Sequence, residues 1–187
     1  MNSLNVPKNF TTLLYILQIK NHYFMIFLNR TIGGIGSETP MTTHSTERIL
    51  PYPPEKIFDL VADVESYPDF LPFWRNAKIC ARDGNTYYTD QEIWMGVMQE
   101  RFQTKTVLNR PTTIDITSSK GFFRDLTIHW DFKPTKVDKC QVKFMQSWEL
   151  QSFLKQQLLG LLLVENSRSV MNAFEKRAHE LYSTRGM

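Results

Sequence analysis

Few residues of this chain have the types and spacing that reaction chemistry requires. Asp90 and Glu92 stand two apart in an alternating segment, so their carboxylates share one face of a strand, as an acid–base pair would need. A solvated strand face is the commoner meaning of that pattern. The four histidines, His22, His44, His129 and His179, are scattered along the chain. No HExxH, GxSxG or paired metal-ligand spacing occurs. Cys80 and Cys140 are far apart and form no CxxC, which argues against a disulfide framework or a zinc site. With eight glycines in 187 residues, a Gly-rich phosphate loop is not expected. The pattern therefore predicts no catalytic residue, no metal and no catalytic cofactor.

The strong signal is apolar. Tyr67-Pro68-Asp69-Phe70-Leu71-Pro72-Phe73-Trp74 packs two prolines and four aromatics into eight residues. Proline disfavours helix at the preceding residue, so Tyr67 and Leu71 are expected to leave helical geometry. A surface loop would not be this apolar. The bend must close over the protein's own core or over a guest inside it.

The elements that would position the bend follow from periodicity. Thr46 to Leu50 reads as a short strand, and Pro53-Pro54 opens a helix, where proline is tolerated in the first turn. Ile57, Leu60, Val61 and Val64 recur at helical spacing opposite Glu55, Lys56, Asp59 and Asp63. Asp83-Gly84-Asn85 is a hairpin signal between two strands. Asn109-Arg110-Pro111 and Ser119-Lys120-Gly121 mark later turns. Leu126, Ile128, Trp130 and Phe132 alternate with charged and polar residues, as do Val142, Phe144, Trp148 and Leu150, with Gln146 on the apolar side. From Ser152 to Ser183 the two-residue period gives way to helix, apolar nearly all round over 158–164 and amphipathic after Ser167. The order is strand, helix, bend, six strands, long helix. One long helix must cover the apolar face of a curved antiparallel sheet, an α+β helix-grip arrangement of about seven strands.

Composition narrows the partners. Charged residues make up 22 % of the chain and the net charge is +3, too little to argue for nucleic acid. No uninterrupted apolar run reaches the length of a membrane span. Residues 1–40 carry Lys8, Lys20 and Arg30 against a single acid, Glu38, with two apolar stretches. They resemble an organelle transit peptide, with an unstructured tail, or an extension upstream of a start near Met41, as the competing explanations. Gly33-Gly34-Ile35-Gly36 joins this leader to the body, and His44 falls in the joint.

The body, over about residues 45–183, resembles START-like proteins of the coenzyme Q-binding type, within the polyketide-cyclase and lipid-transport superfamily. Phe58-Asp59-Leu60-Val61-Ala62-Asp63-Val64-Glu65-Ser66-Tyr67-Pro68-Asp69-Phe70-Leu71-Pro72 resembles the family signature. Arg82-Asp83-Gly84-Asn85 fits its first hairpin, Gln99-Glu100-Arg101-Phe102 falls at one of its strand starts, and Gly121-Phe122-Phe123-Arg124-Asp125-Leu126 and Trp130-Asp131-Phe132 fit its later strands. One departure is Phe73-Trp74, where the family has Trp-Cys. The resemblance implies a START-like fold and a mitochondrial protein on the matrix face of the inner membrane. It would bind ubiquinone or a polyprenyl-quinone precursor, and support respiration and quinone synthesis. Implied partners are the quinone, the membrane surface as a peripheral contact, and quinone-synthesis or respiratory complexes. A bacterial branch of the same fold acts on ribosome association, and related folds host cyclases; both remain alternatives.

An isoprenoid tail gains about 0.8 kcal/mol per methylene removed from water, so a carrier needs only an apolar tunnel. The expected walls are Tyr67, Phe70, Leu71, Phe73, Trp74, Trp94, Phe102, Phe122, Leu126, Ile128, Trp130, Phe144, Trp148, Leu158 and Leu162, with Val170 beside them. Plain core is the competing reading for each. Tyr67, and less strongly Arg101, would meet the head group. Leu159, Leu161, Leu163 and Lys155 would touch the bilayer boundary, with Gly160 as a hinge.

Overall fold

β1 (Thr42–Leu50) opens the body. Helix α1 (Pro54–Ala62) starts as expected with proline in its first turn. A 3-10 turn (Val64–Ser66) and the short helix α2 (Tyr67–Phe70) form the bend. Strands β2 (Trp74–Asp83), β3 (Thr86–Met95), β4 (Met98–Asn109), β5 (Thr113–Ser118), β6 (Phe123–Lys136) and β7 (Lys139–Leu150) follow. Helix α3 runs over residues 169–182. This computed structural model describes residues 41–95, 98–136, 138–152 and 169–183, all within one compact unit, Thr39–Met187. The expectations for residues 1–40, and for Lys155, Leu158, Leu159, Gly160, Leu161, Leu162 and Leu163, lie outside the described residues.

The strands form one antiparallel sheet in the order β1-β7-β6-β5-β4-β3-β2. The α1–α2 connection thus joins the two edge strands and crosses the sheet's inner face. Register shifts near Trp74/Asn76 and Ile79/Ala81 in the β2–β3 pair, and near Phe123/Asp125 and Pro134/Lys136 in the β6–β7 pair, mark irregularities of the kind that increase twist and curl a sheet. The Gly84-Asn85 turn is a two-residue hairpin with Gly84 at φ +56°, a backbone that other residues adopt at a cost.

The strand expectations agree with the sheet, and two expectations around it are corrected. β1 begins at Thr42, so His44 lies in a strand rather than in the joint; its Cα pairs with that of Gln146. Tyr67 stays helical (φ −56°, ψ −39°) despite Pro68. Pro68 sits in the first turn of α2, where its missing N–H costs nothing, and burial of the Tyr67 ring outweighs the pre-proline preference. Leu71 does leave the helix, at φ −80° and ψ 132°.

The core has two clusters. The larger joins Ile57, Phe58 and Val61 of α1 to Ile114, Trp130, Phe132, Val142 and Phe144 of the sheet and to Val170, Met171, Phe174 and Ala178 of α3. Those four positions lie on one stripe of the helix. Phe174 is its anchor, with ring centroids 5.1 Å from Trp130, 5.4 Å from Tyr67 and 5.1 Å from Phe70. The smaller cluster gathers Ile93, Met95, Phe102, Phe122, Phe123, Leu126, Trp148 and Leu150. Trp74 and Ile128 pack against both.

Candidate functional site

A chamber of about 80 Å³ lies where the two clusters meet. The bend contributes Val64, Tyr67 and Trp74. The inner face of the sheet contributes Tyr87, Gln91 and Ile93 from β3, Phe102, Thr104 and Thr106 from β4, Ile116 from β5, Phe123, Leu126 and Ile128 from β6, and Gln146 and Trp148 from β7. None of these lining residues is an acid, a base or a histidine.

Most of the wall is hydrocarbon, but one side is built from neutral polar groups. The Trp74 Nε1–H donates to Gln91 Oε1 at 2.8 Å. Gln91 Nε2 donates to Thr89 Oγ1 at 2.9 Å and Thr104 Oγ1 at 3.1 Å. The two hydroxyls bond each other at 2.6 Å. Gln91, Thr89, Thr104 and Thr106 are all buried. Buried polar groups must find partners, and this cluster supplies its own.

Two tyrosine hydroxyls complete the polar inventory. Tyr67 donates to the Val61 carbonyl oxygen at 2.6 Å, and Tyr87 to that of Ala62 at 3.1 Å. Burial pushes the Tyr67 hydroxyl pKa well above its usual value, helped by the nearness of Tyr87 and Asp63. Burial also pushes Tyr87 up to about 12, although a hydrogen bond with Thr106 and the Arg82 charge work the other way. Both stay neutral over the physiological range. The chamber therefore presents shape, hydrocarbon and neutral hydrogen-bonding groups, and can hold an uncharged molecule without burying charge.

The expected wall residues divide into three groups. Tyr67, Trp74, Phe102, Leu126, Ile128 and Trp148 do line the chamber. Phe70, Leu71, Trp130 and Phe144 belong to the larger cluster, and Phe122 to the smaller, where packing against neighbours occupies them. Phe73 and Trp94 are corrected: they are 40 % and 44 % exposed. Phe73 has φ +71°, and that left-handed turn carries its ring outward. Trp94 shares its strand face with Asp90 and Glu92 and lies against the Arg75 guanidinium, 5.1 Å from the ring centroid.

The charged candidates lie elsewhere. Arg101 pairs with Glu92 at 2.9 Å, and Gln103 donates to Asp90 at 2.7 Å, so the two carboxylates are held in cross-strand pairs on the outer face. His129 faces Asp115 at 2.6 Å, and His179 hydrogen-bonds with the Tyr52 hydroxyl at 2.8 Å, both away from the chamber lining. Cys80 is exposed and Cys140 buried, neither in a disulfide. No group of three His, Cys, Asp or Glu gathers among the described residues. Thr89, Gln91, Thr104 and Thr106 are inward-facing polar residues that the alternation of the sequence did not single out.

A curved seven-stranded antiparallel sheet closed on its inner face by a C-terminal helix defines a START-like helix-grip protein. A family profile described as polyketide cyclase / dehydrase and lipid transport matches residues 50–175, more than half of the chain, and the chain belongs to that family. Over 146 residues it is 31 % identical to the ribosome association toxin RatA of Rickettsia prowazekii, covering 75 % of this chain and 99 % of that one. Over 160 residues it is 26 % identical to the mitochondrial coenzyme Q-binding protein COQ10 homolog B of Xenopus laevis, covering 83 % of this chain and 65 % of that one. A START superfamily protein from Mycobacterium smegmatis superposes with a TM-score of 0.64 at 18 % identity, covering 75 % of this chain and 98 % of that one, a likeness of fold alone.

Proposed function

We propose that this protein binds ubiquinone or a polyprenyl-quinone precursor and acts as its carrier or chaperone, not as a catalyst. The supporting observation is the chamber: uncharged, buried between sheet and bend, apolar on most sides and furnished with neutral donors and acceptors on one. A quinone matches it, with a neutral ring bearing carbonyl oxygens and a hydrocarbon tail. The Xenopus laevis relative, named for coenzyme Q binding, supports the same ligand. At about 80 Å³ the chamber is smaller than the roughly 300–1,000 Å³ usual for small-molecule pockets. Binding therefore requires it to widen, and Trp74 and Ile128, which bridge the two core clusters, are the side chains whose movement would join it to further space.

The cellular setting belongs to the same proposal. The basic, acid-poor composition of residues 1–40 and the mitochondrial relative support a place at the matrix face of the inner membrane, in service of respiration and quinone synthesis. Native mass spectrometry of the full chain purified from its own host tests the ligand. A bound mass matching a polyprenyl quinone is expected; protein that is repeatedly empty overturns the proposal.

The Rickettsia prowazekii relative favours a second reading, a ribosome-association protein. Co-sedimentation of the full chain with ribosomal subunits, by a preparation that carries no quinone, would put that reading in place of the first.

A further inference from the structure

We infer that the chamber selects a head group that accepts hydrogen bonds without donating them, and so takes the oxidised quinone in preference to the reduced quinol. This inference rests on the quinone reading and concerns the same chamber. Trp148 lines the chamber and is 2 % exposed. Its Nε1–H has no hydrogen-bond partner among the described residues. An indole nitrogen can only donate, so nothing but an acceptor satisfies it.

The polar cluster is bonded within itself. Trp74 Nε1 can only donate, so the atom of Gln91 that faces it must be the oxygen. Gln91 Nε2 then points both its hydrogens at the hydroxyl oxygens of Thr89 and Thr104. Those hydroxyls share one hydrogen between them. The Tyr67 and Tyr87 hydrogens are spent on the carbonyl oxygens of Val61 and Ala62.

The wall thus holds one buried donor without a partner among the described residues, the Trp148 Nε1–H, and a donor left unpaired costs far more than a second lone pair left unfilled. A quinone brings two carbonyl acceptors and no donor. A quinol brings two O–H groups that need acceptors, on phenolic oxygens that accept less well. The same ring and tail therefore fit the two redox states unequally.

Isothermal titration of the full chain with decylubiquinone and, under argon, with decylubiquinol reads the preference. The quinone is expected to bind at least about fivefold tighter, the ratio that one neutral hydrogen bond supplies. Trp148→Phe keeps an aromatic ring and removes the N–H; it is expected to bind quinone still and to bring the ratio towards one. Infrared difference spectra of the bound quinone give a reading that does not depend on the variant folding: the carbonyl stretch in the native protein is expected below its value in hydrocarbon solvent. Equal affinities, a quinol preference or an unshifted stretch overturn the inference and leave the quinone reading standing. Failure of both ligands to bind overturns the quinone reading itself.

Discussion

The Tyr67 hydroxyl donates to the Val61 carbonyl oxygen at 2.6 Å, and through that bond the bend caps the helix that precedes it. Val61 lies in the last turn of α1, where carbonyl oxygens have no partner within the helix. Tyr87 of β3 does the same for Ala62. Two residues in the chamber wall therefore also terminate α1, so the shape of the chamber and the end of the helix are set together.

Tyr67→Phe tests that coupling. The variant leaves a buried carbonyl oxygen without its donor while keeping the ring against Phe174 and Trp74. Urea denaturation should show a loss of about 1–3 kcal/mol. A loss indistinguishable from zero would mean that water replaces the hydroxyl and that the bend does not depend on the cap.

High pH should weaken the fold, and three buried groups contribute to that loss. Burial raises Tyr87 from 10.0 to about 12, raises Cys140 from 9.0 to about 11, and raises Tyr67 well above 10.0. In the folded protein these groups hold their protons at pH values where the unfolded chain has released them. The unfolded state then binds fewer protons, so stability falls as pH rises. The contributions are whole below pH 9. Cys140's declines between 9.0 and about 11, and Tyr87's between 10.0 and about 12. Melting temperatures measured under reducing conditions should hold up to pH 9 and then drop, with a shallower drop in Tyr87→Phe than in the native chain.

The same periodicity that revealed the sheet also carried the clue to its misread face. Leu126, Ile128, Trp130 and Phe132 read inward because their neighbours are charged or polar, and the structure agrees: Leu126, Trp130 and Phe132 are buried and Ile128 packs against both clusters. On β3 no such contrast exists, since both faces mix apolar and polar residues. Tyr87, Thr89, Gln91 and Ile93 turn inward, so Trp94 must turn outward. The clue was parity: Asp90 and Glu92 read as a wet face, and Trp94 is in step with them. The polar cluster was not legible by hydrophobicity, because buried Thr and Gln look like surface residues until their mutual partners are known. The bend was legible as a closure but not as a helix, because pre-proline bias is weaker than the burial of Tyr67.

Two glycines should respond differently to a methyl group. Gly121 has φ +80°, and a Cβ there would stand 2.5 Å from the Arg101 carbonyl oxygen, a backbone atom that cannot simply swing away. Gly84 has φ +56°, with nothing within 4 Å of a Cβ. Gly84→Ala should cost only the left-handed backbone preference, about 1–2 kcal/mol. Gly121→Ala should cost more than that, and should disturb the bridge that ties Gly121 to Phe102 in the chamber wall. Equal losses in chemical denaturation would show that the β4 backbone yields to the methyl group.

Filling the chamber separates a ligand inside from a partner outside. Ile128 lines the chamber from β6 and packs against both core clusters, so Ile128→Phe adds bulk where the space is and leaves the outer face untouched. A chamber of about 80 Å³ can take part of that bulk, so the melting temperature should change by a few degrees at most, whereas a filled interior would be overpacked at about 1–3 kcal/mol. If the ligand occupies this interior, quinone recovered with the purified variant should fall at least about tenfold, the ratio equivalent to 1.4 kcal/mol. Undiminished quinone in a folded variant would move the binding site elsewhere. Retained association with ribosomal subunits in a variant that has lost quinone would assign that contact to the outer surface, and would let the two activities be measured independently on one fold.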